Sequence, residues 1–304
     1  MSGRHGDPEW IWFAGGIRPW QAANVHFWSE AVLRCASVFE GIKGYWRTSE
    51  NRHFLLNLPA HLTRLEQSCR LMRIPNEFDR AQLENAISDL ISALAYRTDI
   101  YIRPTVYLAD AGEPAELCVA AFSIREEPAE SLHCGFSSLR KADSTSHPSL
   151  AKAAASYSTM RLARLEAADL GWDDAILLNS NGYVAEATGA NVFVVRGGSV
   201  CTPDLDSAIL EGTLRETVFR LCAALDIPVQ TVPKMTTSDV LAADEIFLTG
   251  TLQEVARVGT LAGGVPRQHW PFPVISALRS GLSEACRGTA AIPGVDLTPG
   301  PVIA

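Results

Sequence analysis

Asn181-Gly182-Tyr183-Val184-Ala185-Glu186-Ala187-Thr188-Gly189-Ala190-Asn191-Val192-Phe193-Val194-Val195 is the stretch on which the fold turns. Asn-Gly is the strongest short hairpin signal. Before it lies the apolar run Ala175-Ile176-Leu177-Leu178, and after it come Tyr183 to Glu186 and Asn191 to Val195, which read as a strand–turn–strand series. Glu186 stands among Val184, Ala185 and Ala187. Strand alternation favours an outward-facing glutamate, whereas a buried one needs a partner.

Working outward, a helix is predicted from about Ala151 to Leu170 with Gly171 as its C-cap. A helix over Thr213 to Leu225, a strand over Val229 to Val232 and another from Glu245 to Thr249 follow, the last ending at Gly250-Thr251. Toward the N-terminus, Trp10 to Ala14 with Gly15-Gly16 reads as a first hairpin. Gly41 and Gly44 interrupt Ser37 to Trp46, so it does not read as one strand. Leu62, Leu65, Cys69 and Met72 recur at helical spacing until Pro75, and a second helix follows Asp79. Tyr101 to Leu108 and Leu117 to Ile124 read as strands. Polar and turn-forming residues dominate 125–150. The expected division is therefore a small α/β domain over 1–128, a linker over 129–135 and a larger domain over 136–304. Ala290 to Ala304, rich in Pro and Gly, reads as a loosely held tail.

Composition narrows the function classes. At 304 residues the chain is long enough for about two domains. A net charge of −8 gives no basic surface for nucleic acid. No apolar run approaches the roughly 20 residues of a membrane span, and the first ten residues lack a signal-peptide core. The seven cysteines are odd in number and none is spaced C-x-x-C, which fits reduced thiols in a cytoplasm. The seven histidines form no metal-ligand pair, and the Walker, G-x-G-x-x-G and G-x-S-x-G patterns are absent.

Only four lysines occur: Lys43, Lys141, Lys152 and Lys234. The ordinary reading of a lysine is a solvated charge. Lys152 is different. It stands at the predicted helix start, where the macrodipole disfavours a cation, and Leu150, Ala151, Ala153 and Ala154 surround it. Small neighbours leave room for a bulky group, and apolar surroundings favour a nucleophilic amine. Gly212-Thr213-Leu214-Arg215 enters a helix and forms a possible phosphate site; Thr249-Gly250-Thr251 is a small hydroxyl-bearing turn. Arg64 lies beside an apolar stripe, where a snorkelling stem explains it. Arg103 reads as a strand residue facing water.

In order along the chain, these segments resemble the branched-chain aminotransferase-like family of pyridoxal-phosphate enzymes, fold type IV. The resemblance covers about residues 10–265 and rests on nine stretches. They are Ile11-Trp-Phe-x-Gly, Ser37-Val-Phe-Glu-Gly-Ile-Lys, His61-Leu-Thr-Arg-Leu, Tyr101-Ile-Arg-Pro and Ala151-Lys152 with Tyr157. The others are Asn181-Gly-Tyr-x-x-Glu-x-x-Gly-x-Asn, Leu210-x-Gly-x-x-Arg, Ala243-Asp-Glu-Ile-Phe and Thr249-Gly-Thr.

The resemblance implies an α/β (α+β) two-domain fold with a C-terminal pseudo-barrel. It also implies transamination between an L-amino acid and a 2-oxo acid. Lys152 would carry pyridoxal 5′-phosphate and act as acid/base, and Glu186 would face the pyridine nitrogen. Arg64, the Thr213 and Leu214 amides and Thr251 would hold the phosphate, and Tyr157 would bond the ring oxygen. Phe39, Gly41, Tyr101, Arg103, Thr251 and Leu252 would contact substrate. A homodimer would lend residues of a loop near 33–36 to its partner's site. D-amino acid or amine transamination, aminodeoxychorismate-type lysis and a non-catalytic binder are the alternatives. Within that loop Leu33-Arg34-Cys35-Ala36 departs from the family pattern. Arg34 would add a cation to the substrate pocket and select an anionic substrate, unless it pairs with Glu30. Ala190, Glu211 and Leu252 also depart, which touches substrate choice and leaves the cofactor residues intact.

Overall fold

The computed structural model of the chain describes residues 7–124, 129–264 and 271–303. It divides into two units. The first holds Met1–Glu127, Ala151–Ala155 and Asp296–Ala304, and the second Pro128–Leu150 and Ser156–Val295.

In the first unit, β1 (Trp10–Phe13) and β2 (Gly16–Pro19) form the expected hairpin. Ala14 and Gly15 both take positive φ at its tip, the geometry that matches strand twist. A short helix α1 (Glu30–Leu33) precedes β3 (Ser37–Phe39), β4 (Ile42–Arg47) and β5 (Arg52–Leu56). The break between β3 and β4 falls at Glu40-Gly41. Helices α2 (Leu58–Leu71) and α3 (Arg80–Leu94) come next, α3 opened by a capping box between Asp79 and Gln82. Then come β6 (Ile100–Tyr107) and β7 (Glu116–Ser123). Leu62, Leu65 and Cys69 of α2 and Leu83, Ile87, Leu90 and Ile91 of α3 join Ile42, Leu55, Ile100 and Ile102 in one buried core.

In the second unit, β8 (Leu132–Arg140) occupies part of the stretch expected to be a linker. It is followed by α4 (Tyr157–Asp169), β9 (Asp174–Leu178), β10 (Val184–Ala187), β11 (Asn191–Arg196) and β12 (Ser199–Pro203). Then come α5 (Thr213–Ala224), β13 (Val229–Val232), α6 (Thr237–Leu241), β14 (Glu245–Gly250), β15 (Glu254–Leu261) and α7 (Pro273–Arg287). The sheet runs β10-β9-β8-β15-β14-β11-β12-β13, and β10 also pairs with β11, so six of its strands close on themselves. Closure explains the near-continuous apolar strands, since every residue of β9 and β10 is buried. Among the described residues no helix is long and apolar enough to cross a membrane.

Two expectations fail here. The tail is ordered: β16 (Leu297–Val302) belongs to the first unit and pairs antiparallel with β5. Pro299 is tolerated because β16 is an edge strand. Ile303 anchors its end, buried in the core with its N–H on the Asn51 carbonyl at 2.7 Å. Deleting the chain from Asp296 onward removes that strand and uncovers the core. The expected cost is about 2–4 kcal/mol, a drop of several degrees in Tm by calorimetry. An unchanged Tm would show the strand to be dispensable. Second, the helix predicted from Ala151 begins only at Tyr157, after a 3-10 turn at Ala154–Ser156. Ala153 instead makes an antiparallel bridge to Val38. Tertiary pairing overrides the helix propensity of the alanines there.

Candidate active site

Lys152 lies before the helix and outside it, so the macrodipole argument does not apply to it. Its backbone is clamped on both sides. The Lys152 N–H donates to Ser68 Oγ of α2 at 3.0 Å, and its carbonyl accepts the Phe39 N–H at 3.0 Å. The half-buried side chain carries Nζ to 5.2 Å from the centre of the Phe39 ring. The Arg103 guanidinium lies 3.8 Å from the same ring centre, a cation–π contact rather than the water-facing placement expected. Gly41 sits so close to Tyr101 that a β-carbon there would come within 2.7 Å of the tyrosine hydroxyl. The backbone thus runs hard against a buried phenol, and only glycine fits.

Arg64 is buried rather than snorkelling. It makes a two-pronged bond to the Glu40 carboxylate, Nε to Oε1 and Nη2 to Oε2, both at 2.7 Å. His61 Nδ1 also lies 2.7 Å from Glu40 Oε2. Burial pushes the Glu40 carboxyl up, but Arg64 and His61 outweigh it and hold the group well below the usual carboxylate range. Burial pushes the His61 imidazole down, against the pull of Glu40. Arg34, by contrast, meets Glu30 one helical turn back and keeps 66% of its side chain exposed. The intramolecular pair is the one formed. Within this chain Arg34 is therefore a paired, solvated cation.

In the second unit Glu186 is 5% exposed, so the outward-facing reading is overturned. Its partners are explicit. Lys141 Nζ contacts Oε1, while Oε2 accepts the Leu210 N–H at 2.9 Å and Asn191 Nδ2 at 3.3 Å. Asn191 also donates to the Leu210 carbonyl at 2.9 Å. Lys141 is only 7% exposed and Lys43 is buried too, against the solvated reading of both.

Gly212 packs on Asn191: a β-carbon would lie 2.1 Å from Asn191 Oδ1. Gly212 is the N-cap of α5 and, as a glycine, brings no capping side chain of its own. Thr213 and Leu214 open it, and Arg215 follows, buried, with Nη2 on the Pro203 carbonyl at 3.1 Å and Nε without a hydrogen-bond partner. The Thr251–Leu252 turn leaves β14 and is pinned by Gln253, whose Nε2 donates to Asp174 Oδ2 at 3.0 Å. Tyr157 begins α4 and packs with Met160, Ala163 and Leu177.

Sequence reasoning missed Glu40, His61 and Lys141 as members of these clusters. Two signals were available: an acid inside the apolar run Ser37 to Ile42, and the i, i+3 spacing of His61 and Arg64 on one face of α2. Nothing in the sequence pairs Lys141 with Glu186.

The family described as amino-transferase class IV matches this chain over residues 37–261. A probable branched-chain-amino-acid aminotransferase of Aquifex aeolicus is 32% identical over 260 residues, covering 82% of this chain and 83% of that protein. The branched-chain aminotransferase of Thermobaculum terrenum, solved in its PLP (holo) form, is 34% identical with a TM-score of 0.86. The match covers 96% of this chain and 98% of that one. The branched-chain aminotransferase of the archaeon Thermoproteus uzoniensis, solved with norvaline, is 28% identical with a TM-score of 0.89 over 95% and 99% of the two chains.

Proposed function

Because the chain belongs to the class IV aminotransferase family, we propose that it moves an amino group between a branched-chain L-amino acid and a 2-oxo acid, with pyridoxal 5′-phosphate as cofactor. The observation that carries this reading is the anchoring of Asn191 between a buried carboxylate and the glycine that opens α5. Its amide bonds Glu186 Oε2, and Gly212 at the start of α5 packs against it. A buried acid suits a protonated pyridine nitrogen. A helix start opened by glycine suits a phosphate. The residues therefore fit the cofactor.

When bound, the cofactor supplies a protonated ring that takes up the electron pair left at the substrate α-carbon. The remaining work belongs to the chain. Lys152 would hold the cofactor through its Nζ and would move the proton to and from the substrate α-carbon. Glu186 would face the ring nitrogen and keep it protonated. Arg64, the Thr213 and Leu214 amides and the Thr251 hydroxyl bind the phosphate. The Tyr157 hydroxyl bonds the ring oxygen. Phe39, Gly41, Tyr101, Arg103, Thr251 and Leu252 contact the substrate. The enzyme works as a cytoplasmic homodimer. Phe27 and Trp28, 74% and 71% exposed a few residues before α1 in sequence, support the pairing of two copies.

The test is a cofactor spectrum followed by half-reactions. Purified protein, supplemented with pyridoxal phosphate, is expected to show a visible absorbance band that L-leucine, L-isoleucine, L-valine and L-glutamate shift. A colourless protein overturns the cofactor assignment. Response to D-alanine alone, or pyruvate release from an aminodeoxychorismate-type substrate, overturns the substrate assignment.

A further inference from the structure

We propose that Glu40 is a positioning residue that aims Arg64 at the cofactor phosphate; this rests on the reading of Arg64 as a phosphate ligand. The Glu40 carboxylate is fully buried, an expensive place for a charge unless the charge has work to do. An apolar residue of similar size would cost the core less. Its position is fixed from behind, since the Glu40 N–H donates to the Pro104 carbonyl of β6 at 2.9 Å.

From that fixed point the carboxylate grips Arg64 side-on, through Nε and Nη2, at 2.7 Å each. A guanidinium has five N–H donors in one rigid plane. A fork on two of them sets the plane and so the direction in which the others lie. An arginine without such a fork loses several rotamers' worth of entropy whenever it binds an anion. His61, one turn earlier on α2, lies 2.7 Å from Glu40 Oε2 and holds the carboxylate from rotating.

The charges matter too. Burial disfavours the imidazolium of His61, which leaves Arg64 as the charged partner of Glu40. The pair is close to neutral, so its pull on a dianion comes from directed donors more than from net charge. Glu40 also follows Phe39 directly, whose N–H holds the Lys152 carbonyl. One short stretch of backbone thus orients both the arginine and the lysine.

The experiment compares two ligands that share ring and aldehyde and differ only in the phosphate. Full-length protein stripped of cofactor is titrated with pyridoxal phosphate and with pyridoxal, and the ratio of the two Kd values is read spectroscopically. In Glu40→Gln the amide turns an N–H donor toward the guanidinium and breaks the fork. The preference for the phosphorylated ligand is expected to fall roughly tenfold or more, while Kd for pyridoxal changes less than about threefold. Equal weakening of both ligands would make Glu40 a support of the fold alone and overturn the proposal. An unchanged preference, or a gain from removing a negative charge, overturns it as well.

Arg64→Lys is the benchmark. If that variant loses the phosphate preference and Glu40→Gln keeps it, Arg64 stands and the Glu40 role falls. If Arg64→Lys also keeps it, the phosphate role of Arg64 falls with it. Should Glu40→Gln fail to fold, Glu40→Asp keeps the charge, withdraws it by one methylene and is read against the same outcomes.

Discussion

Lys152→Ala is expected to lower the rate of the half-reaction with L-leucine by about 10³-fold or more, because one side chain is asked to do two things. In the proposed role its amine holds the cofactor, and the same nitrogen moves the α-proton. General acid–base catalysis alone contributes about 10²–10⁴-fold. The fold has little reason to suffer. Two bonds that seat residue 152 are backbone ones, to Ser68 Oγ and from the Phe39 N–H, and alanine makes both. The neighbours Ala151 and Ala153 stay buried in the first unit's core. Tm should therefore stay close to that of the parent, and a small primary amine added to the solution should recover part of the rate. Borohydride reduction of the parent followed by peptide mapping should mark residue 152. A mark elsewhere, or a variant within tenfold of the parent, would remove Lys152 from the mechanism.

That lysine also measures what could be read beforehand. The residue stood out, since scarce lysine among small apolar neighbours is unusual, but its setting did not. A run of alanines reads as a helix start, yet Val38 recruits Ala153 into a strand bridge more than a hundred residues away in sequence. Local propensity carries no information about that partner. Elements whose signal is local came through: α3 with its Asp79 cap, the Trp10–Phe13 hairpin and the strands on either side of Asn181-Gly182. Alternation failed at Glu186 for a different reason. It assumes one dry face and one wet face, and β10 is paired on both edges within a closed sheet, so all four of its residues are buried. Once both faces are dry, a charged side chain must find its counterpart inside. Lys141 for Glu186 and Arg64 for Glu40 are then required by electrostatics, although no spacing rule announces them.

Glu186→Gln carries the other large effect, and it divides into two parts that one further variant separates. The first part is chemical. An amide cannot hold a proton at the ring nitrogen as a carboxylate does, and the electron-accepting power of the ring falls with it, so kcat is expected to drop by about 10²-fold or more. The second part is structural. Lys141, 7% exposed, loses the carboxylate that balances it. Breaking a buried pair from one side costs about 3–5 kcal/mol, read as a clear fall in Tm. Lys141→Met removes the stranded cation. In the double variant Tm should recover much of the loss while kcat stays low, because the methionine repairs the burial and leaves the ring nitrogen without its acid. If stability and activity recover together, Glu186 acts only through the fold. If the single variant keeps kcat within about threefold of the parent, the carboxylate is not the partner of the ring, and its bonds to Lys141, Leu210 and Asn191 are what hold it buried.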